Sequence, residues 1–81
     1  MRVKVLAFAR IREMLEASEQ SLDLPGGARV ADAWSMLVSA APELDALGGS
    51  TRVARNGRVV SLDEPLCDGD ELALLPPVGG G

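Results

Sequence analysis

Eighty-one residues, 47% hydrophobic and 25% charged, suit one small domain with one modest core; with one Phe, one Trp and no Tyr, that core must be aliphatic. The absence of histidine removes the commonest general base and metal ligand, and a lone cysteine, Cys67, leaves no intrachain disulfide and no Cys-rich zinc site. A net charge of −4 without clustered Lys and Arg carries no nucleic-acid footprint, and no apolar run reaches membrane-spanning length, so a cytoplasmic domain with no nucleic-acid or membrane partner and no metal is expected.

Residues 3–9 are rich in β-formers and read as a first strand. They begin like a signal peptide, but Arg10, Arg12 and Glu13 follow at once with no convincing cleavage site, which favours the strand. Ile11, Met14 and Leu15 at i, i+3, i+4 predict a short helical turn. Residues 20–24 alternate polar and apolar and predict a second strand, paired with the first in a hairpin and ended by Pro25-Gly26-Gly27.

The clearest helix is predicted over residues 30–41, where Val30, Ala33, Trp34, Leu37, Val38 and Ala41 fall on one face. Trp34 is therefore assigned to packing rather than stacking. Asp32 suits the first turn, although Arg29 is a poor N-cap. Pro42 stops the helix, and residues 42–47 suit one more turn. Asn56-Gly57 between two short strand-like runs, 52–55 and 58–60, predicts a tight hairpin. Asp68-Gly69-Asp70 marks a turn before a last strand, 71–75, which Pro76-Pro77 ends. One helix on one mixed sheet is an α+β arrangement and suggests a β-grasp, ubiquitin-like fold over residues 1–77, with 78–81 as a flexible tail.

Most chemistry-bearing residues have plain structural readings. Asp63, Glu64, Asp68, Asp70 and Glu71 match no calcium-loop spacing and read as solvated turns, with a steering role toward a basic partner as the alternative. Cys67 has no histidine to activate it and reads as a half-buried small side chain. Arg52, Arg55 and Arg58 form a small basic group about the Asn-Gly turn, read as a solvated hairpin or a contact patch. The glycine pairs 26–27 and 48–49 lack phosphate-loop flanks.

Strand parity singles out something else. In the first strand Val3, Val5, Ala7 and Ala9 share one face; Arg2, Lys4, Leu6 and Phe8 share the other. In the last, Leu72 and Leu74 face the core while Glu71, Ala73 and Leu75 point away. Those two strands are expected to be parallel neighbours. Phe8 and Leu75, joined by Val59, then form an exposed apolar patch at the root of the tail, a partner surface.

The tail itself is chemically sparse. Pro76-Pro77 stiffens the exit, Val78 is the last sizeable side chain, and Gly79, Gly80 and Gly81 carry no Cβ. Such a strip fits a narrow channel, and its reactive group is the Gly81 carboxylate. ATP can convert a carboxylate to an acyl-adenylate, from which sulfide, a persulfide or an amine displaces AMP. The chain would then be a carrier, with the chemistry supplied by its partners.

The run Leu66-Cys67-Asp68-Gly69-Asp70-Glu71, continuing through Pro76-Pro77-Val78-Gly79-Gly80-Gly81, resembles the ending of molybdopterin synthase small subunits, a "DGDE…PPV-x-GG" pattern. Phe8-Ala9-Arg10-Ile11-Arg12-Glu13 is similar to that family's first strand and Arg-Glu turn, and Asn56 falls where the family often has Asn. The resemblance spans nearly the whole chain; its terminal motif is specific and its middle is not. Arg29 and Gly79 depart from the pattern at positions that do not touch the chemistry. The resemblance implies a sulfur carrier without catalytic residues of its own, part of a sulfurtransferase complex. An E1-like adenylyltransferase would use ATP to adenylate Gly81, and a sulfur donor protein would convert it to a thiocarboxylate. Gly80, Gly79, Val78 and Pro77 would thread the tail into the large subunit. There sulfur would pass to cyclic pyranopterin monophosphate to build the molybdopterin dithiolene. It also implies a heterotetramer, with Phe8, Val59 and Leu75 on the contact surface, and no bound cofactor. Related carriers that serve thiamin thiazole synthesis or tRNA thiolation, and ubiquitin-like protein modifiers, end the same way, and a binding module with an idle tail is a further alternative.

Overall fold

Val3, Val5 and Ala7 alternate with Arg2, Lys4 and Leu6, and the chain lays them down as β1 (Arg2–Ala7) with the first set buried and the charged pair outside. This computed structural model describes residues 1–77; Val78, Gly79, Gly80 and Gly81 lie outside the described residues. After β1 come α1 (Ala9–Leu15), β2 (Glu19–Asp23), α2 (Val30–Ala40), a 3₁₀ helix (Pro42–Leu47), β3 (Arg52–Arg55), β4 (Arg58–Val60) and β5 (Glu71–Leu75). The five strands form one mixed sheet in the order β2-β1-β5-β3-β4.

Pairing follows local chemistry. β1 and β2 are antiparallel, with Val3 opposite Leu22, and α1 fills the connection by burying Ile11 completely. β2 begins one residue earlier than expected, yet Leu24 extends the ladder because its N–H donates to the Met1 carbonyl. Asn56 and Gly57 both take positive φ, 49° and 88°, the geometry of a two-residue turn whose twist matches its strands. β1 and β5 run parallel through the sheet centre, Val5 opposite Leu72 and Ala7 opposite Leu74.

The apolar stripe of α2 packs on the face that carries these residues. Val30, Ala33, Leu37 and Ala41 join Val3, Val5, Leu22, Val53, Leu72 and Leu74 in one core, with Trp34 and Val38 half-buried against it. Pro42 ends α2 as expected, and the Ala41 N–H makes the last helical bond to the Leu37 carbonyl. Without large aromatics the core depends on aliphatic packing, where truncating a buried Leu to Ala costs about 2–5 kcal/mol. The result is the β-grasp arrangement.

The poor N-cap of α2 has a tertiary remedy. The Arg29 side chain has no acceptor, so it cannot cap. Instead Asp32 Oδ2 accepts the Arg29 N–H at 2.7 Å. The Val30 and Ala31 N–H groups donate to the carbonyls of Glu64 and Leu62, at 3.0 and 2.9 Å. The segment between β4 and β5 thus supplies the acceptors that a first turn lacks. Among the described residues no helix is long and apolar enough to cross a membrane.

Candidate functional site

The face of the sheet away from α2 is where parity leaves apolar residues without a covering layer. The register sets Leu6 opposite Ala73, Ala73 opposite Ala54, and Ala54 opposite Val59, an apolar row across four strands. Ala54, between Ala73 and Val59 in this row, is buried although it stands apart from the main core cluster. Val59 at the end of the row is 55% exposed.

One step toward the tail, Leu75 pairs with Arg52 and is half-buried. Phe8 follows Ala7, whose partner is Leu74, so it stands one position beyond the paired register, level with Leu75. It is 46% exposed and occupies the N-cap position of α1. Val59 and Leu75 share a groove of about 490 Å³ with Pro76, Pro77, Ser50 and Arg52. A second groove, about 360 Å³, is lined by Ala9, Arg10, Leu47 and the same two prolines. Phe8 lines neither groove. Of the expected tail residues, Pro77 is exposed at the described end, whereas Val78, Gly79, Gly80 and Gly81 lie outside the described residues.

Far from the tail, the start of β5 is locked by a polar cluster. Asp70 is 6% exposed. Its Oδ2 accepts Arg55 Nε at 2.7 Å and the Cys67 N–H at 2.7 Å, and its Oδ1 accepts Asn56 Nδ2 at 2.9 Å. Asn56 also accepts the Glu71 N–H at 3.0 Å and donates its own N–H to the Glu71 carbonyl at 2.8 Å. Arg55 reaches Glu64 at 3.1 Å, which Arg58 approaches at 3.4 Å. Burial alone would raise the Asp70 pKa, but the hydrogen bonds from Arg55, the Cys67 amide and Asn56 outweigh it and hold the carboxyl below the usual range. The cluster ties the β3–β4 hairpin to the first residues of β5 and so sets where the tail-bearing strand begins.

Three sequence expectations change here. The acidic run is not uniformly solvated: Asp68 is exposed, whereas Asp70 is buried because the β3–β5 pairing delivers Arg55 and Asn56 to it. Cys67 is exposed rather than half-buried, since its neighbour Leu66 takes the inward position. The three hairpin arginines are not one group. Arg55 and Arg58 share Glu64, whereas Arg52 stands in the tail-root groove. Arg10 and Arg52 as groove residues were missed; the place of Arg52 follows from its pairing with Leu75 once the register is known, whereas Arg10 is brought to Pro76 by α1, which strand parity does not reach.

The outer face presents no assembled nucleophile and base among the described residues, and the exposed Cys67 lies at the opposite end of β5 from the tail. The arrangement is suited to presenting a chain end from an apolar docking face. Residues 5–81 match the model of the ThiS family. The molybdopterin synthase sulfur carrier subunit of Chlamydomonas reinhardtii is 39% identical over 83 residues, covering 100% of both chains. Small archaeal modifier protein 1 of Haloferax volcanii is 39% identical over 82 residues, 91% of this chain and 94% of that one. Its crystal structure matches the fold with a TM-score of 0.88 at 36% identity over 100% of both chains. A chain in the complex of subunits 1 and 2 of the molybdopterin-converting factor of Helicobacter pylori matches with a TM-score of 0.71 at 26% identity, again over 100% of both.

Proposed function

This chain belongs to the ThiS family, and from that membership we propose that it is the sulfur carrier subunit of a molybdopterin synthase, working in the cytoplasm. The observation that carries this reading is the 39% identity, end to end, to a protein of that name. The Helicobacter pylori complex of subunits 1 and 2 supports a second subunit as the partner. The outer face, with Phe8, Val59 and Leu75, is the surface we assign to it.

The mechanism follows from the carboxylate of Gly81, a poor electrophile. An E1-like partner joins it to the α-phosphate of ATP with release of pyrophosphate. Hydrosulfide released by a donor protein then attacks the acyl carbon, AMP leaves, a proton is lost, and the chain ends in a thiocarboxylate. Val78, Gly79 and Gly80 carry that sulfur into the large subunit, where it bonds to cyclic pyranopterin monophosphate; water then attacks the acyl carbon, the bond from that carbon to sulfur breaks, and Gly81 returns to a carboxylate. A dithiolene needs two sulfur atoms, which fits a heterotetramer holding two carriers. ATP is consumed by the activating partner rather than held by this domain.

The test is the intact mass of the chain after incubation with ATP, a sulfur source and the E1-like enzyme of the same organism. The expected result is a gain equal to one oxygen exchanged for sulfur, lost when Gly81 is deleted. An unchanged mass, with the enzyme active on another carrier, sinks the proposal. The similarity to small archaeal modifier protein 1 favours one second reading, attachment of Gly81 to lysine amines. It predicts a ladder of conjugates on a denaturing gel that disappears with the same deletion.

A further inference from the structure

Two arginines at the tail root make no ion pair among the described residues. Arg52 lines one groove beside Val59 and Leu75, and Arg10 lines the other beside Ala9 and Leu47. Pro76 and Pro77 line both. Because β5 lies between β1 and β3, the grooves flank the departing tail on its two sides. Both arginines are exposed. The ion pairs among the described residues join Arg2 to Asp23, Arg55 to Glu64 and Asp70, and Arg58 to Glu64, and none includes Arg10 or Arg52. On a chain of net charge −4, Pro76 and Pro77 thus stand between two arginines that have no ion-pair partner among the described residues.

We propose that Arg10 and Arg52 form a clamp for carboxylates at the mouth of the partner's channel, so that the large subunit served by this chain carries acidic side chains on both sides of the opening that admits the tail. The inference rests on the molybdopterin synthase reading above and adds the partner chemistry that would recognise this carrier. A guanidinium presents a planar fork that binds a carboxylate through two parallel hydrogen bonds, which fixes direction as well as distance. Each fork here stands beside apolar walls. Docking of the outer face would remove water from those walls and strengthen the ion pairs beside them. Paired contacts on either side of Pro76-Pro77 would also fix the angle at which the tail enters. Opposite charge at this end, against repulsion between a net-negative carrier and an acidic opening elsewhere, steers encounter to the productive orientation.

The experiment measures affinity of the full chain for the large synthase subunit of the same organism, at low ionic strength and in about 1 M salt, where the screening length is about 3 Å. Wild type, Arg10→Gln/Arg52→Gln and Arg2→Gln are compared. Arg2 is a control cation at the far end of β1 whose pair with Asp23 is highly exposed. The proposal expects the double variant to bind about tenfold more weakly at low salt. The gap should close at high salt, with Arg2→Gln close to wild type. Equal binding by the double variant at all salt concentrations overturns the clamp and leaves the functional reading standing. A loss that persists undiminished at high salt, or an equal loss in Arg2→Gln, also overturns it. Failure of wild type to bind the large subunit at all overturns the functional reading and the clamp together.

Discussion

Asp70 shows how one side chain can be misjudged by its immediate neighbours and then decide a strand boundary. Its Asp-Gly-Asp setting is ordinary turn chemistry, and Gly69 does take the positive φ, 87°, that a turn requires. Yet three donors converge on the carboxylate. Since its folded pKa lies below the ordinary value, Asp70 stabilises the fold at pH values above the unfolded-state pKa, about 3.9. That contribution is lost as pH falls through the depressed folded value. Asp70→Asn is therefore expected to lower stability at neutral pH by about 1–3 kcal/mol, because donors aimed at a carboxylate lose their best acceptor. It is also expected to flatten the fall in stability between about pH 5 and the acid limit. Urea unfolding at several pH values checks both; an acid limb as steep as that of wild type would refute the assignment.

Among the elements, α1 carries a local cost that its sequence does not advertise. It ends at Glu16, whose φ of 56° is left-handed, with the N–H bonded back to the carbonyls of Arg12 and Glu13. Glycine suits this position, since a Cβ is penalised there and the closing bonds use backbone alone. Glu16→Gly is expected to raise stability by about 0.5–1 kcal/mol, read as a higher urea midpoint with unchanged slope. A lower midpoint would mean that the Glu16 side chain contributes something its exposure does not suggest. α2 makes the opposite point. Its weak cap is compensated by Leu62 and Glu64 carbonyls from a segment some thirty residues away, so helix periodicity located it correctly while cap chemistry understated it.

At the scale of the whole molecule, the sheet has two different faces. One is closed by α2 and the other shows an apolar row ending near Phe8 and the tail. Because Phe8 is 46% exposed, Phe8→Glu should leave the thermal midpoint nearly unchanged. The same change should weaken binding to the large subunit by on the order of 2 kcal/mol, about thirtyfold, since docking would bury a charge without a partner. Calorimetric titration alongside thermal melts separates these effects. Unaltered affinity would remove Phe8 from the interface, and a collapsed melting temperature would make it a structural residue.

Much of this architecture is legible in short stretches of chain. Alternation in β1 and β5 identified the buried and outward sets as far as Ala7, whereas Phe8 and Ala9, read as strand, begin α1 and leave Ala9 exposed; Asn56-Gly57 marked the hairpin, and the stripe from Val30 to Ala41 located the helix. These signals are local because backbone propensity and side-chain direction repeat within one or two turns. The terminal motif likewise pointed to the family from residue identities alone. Tertiary structure decided what depends on partners distant in sequence. It buried Asp70 and left Asp68 exposed, and it separated Arg52 from Arg55 and Arg58. It also placed Arg10 and Arg52 on opposite flanks of the tail root. A local pattern can say which way a side chain points, but strand order and register determine what it meets there.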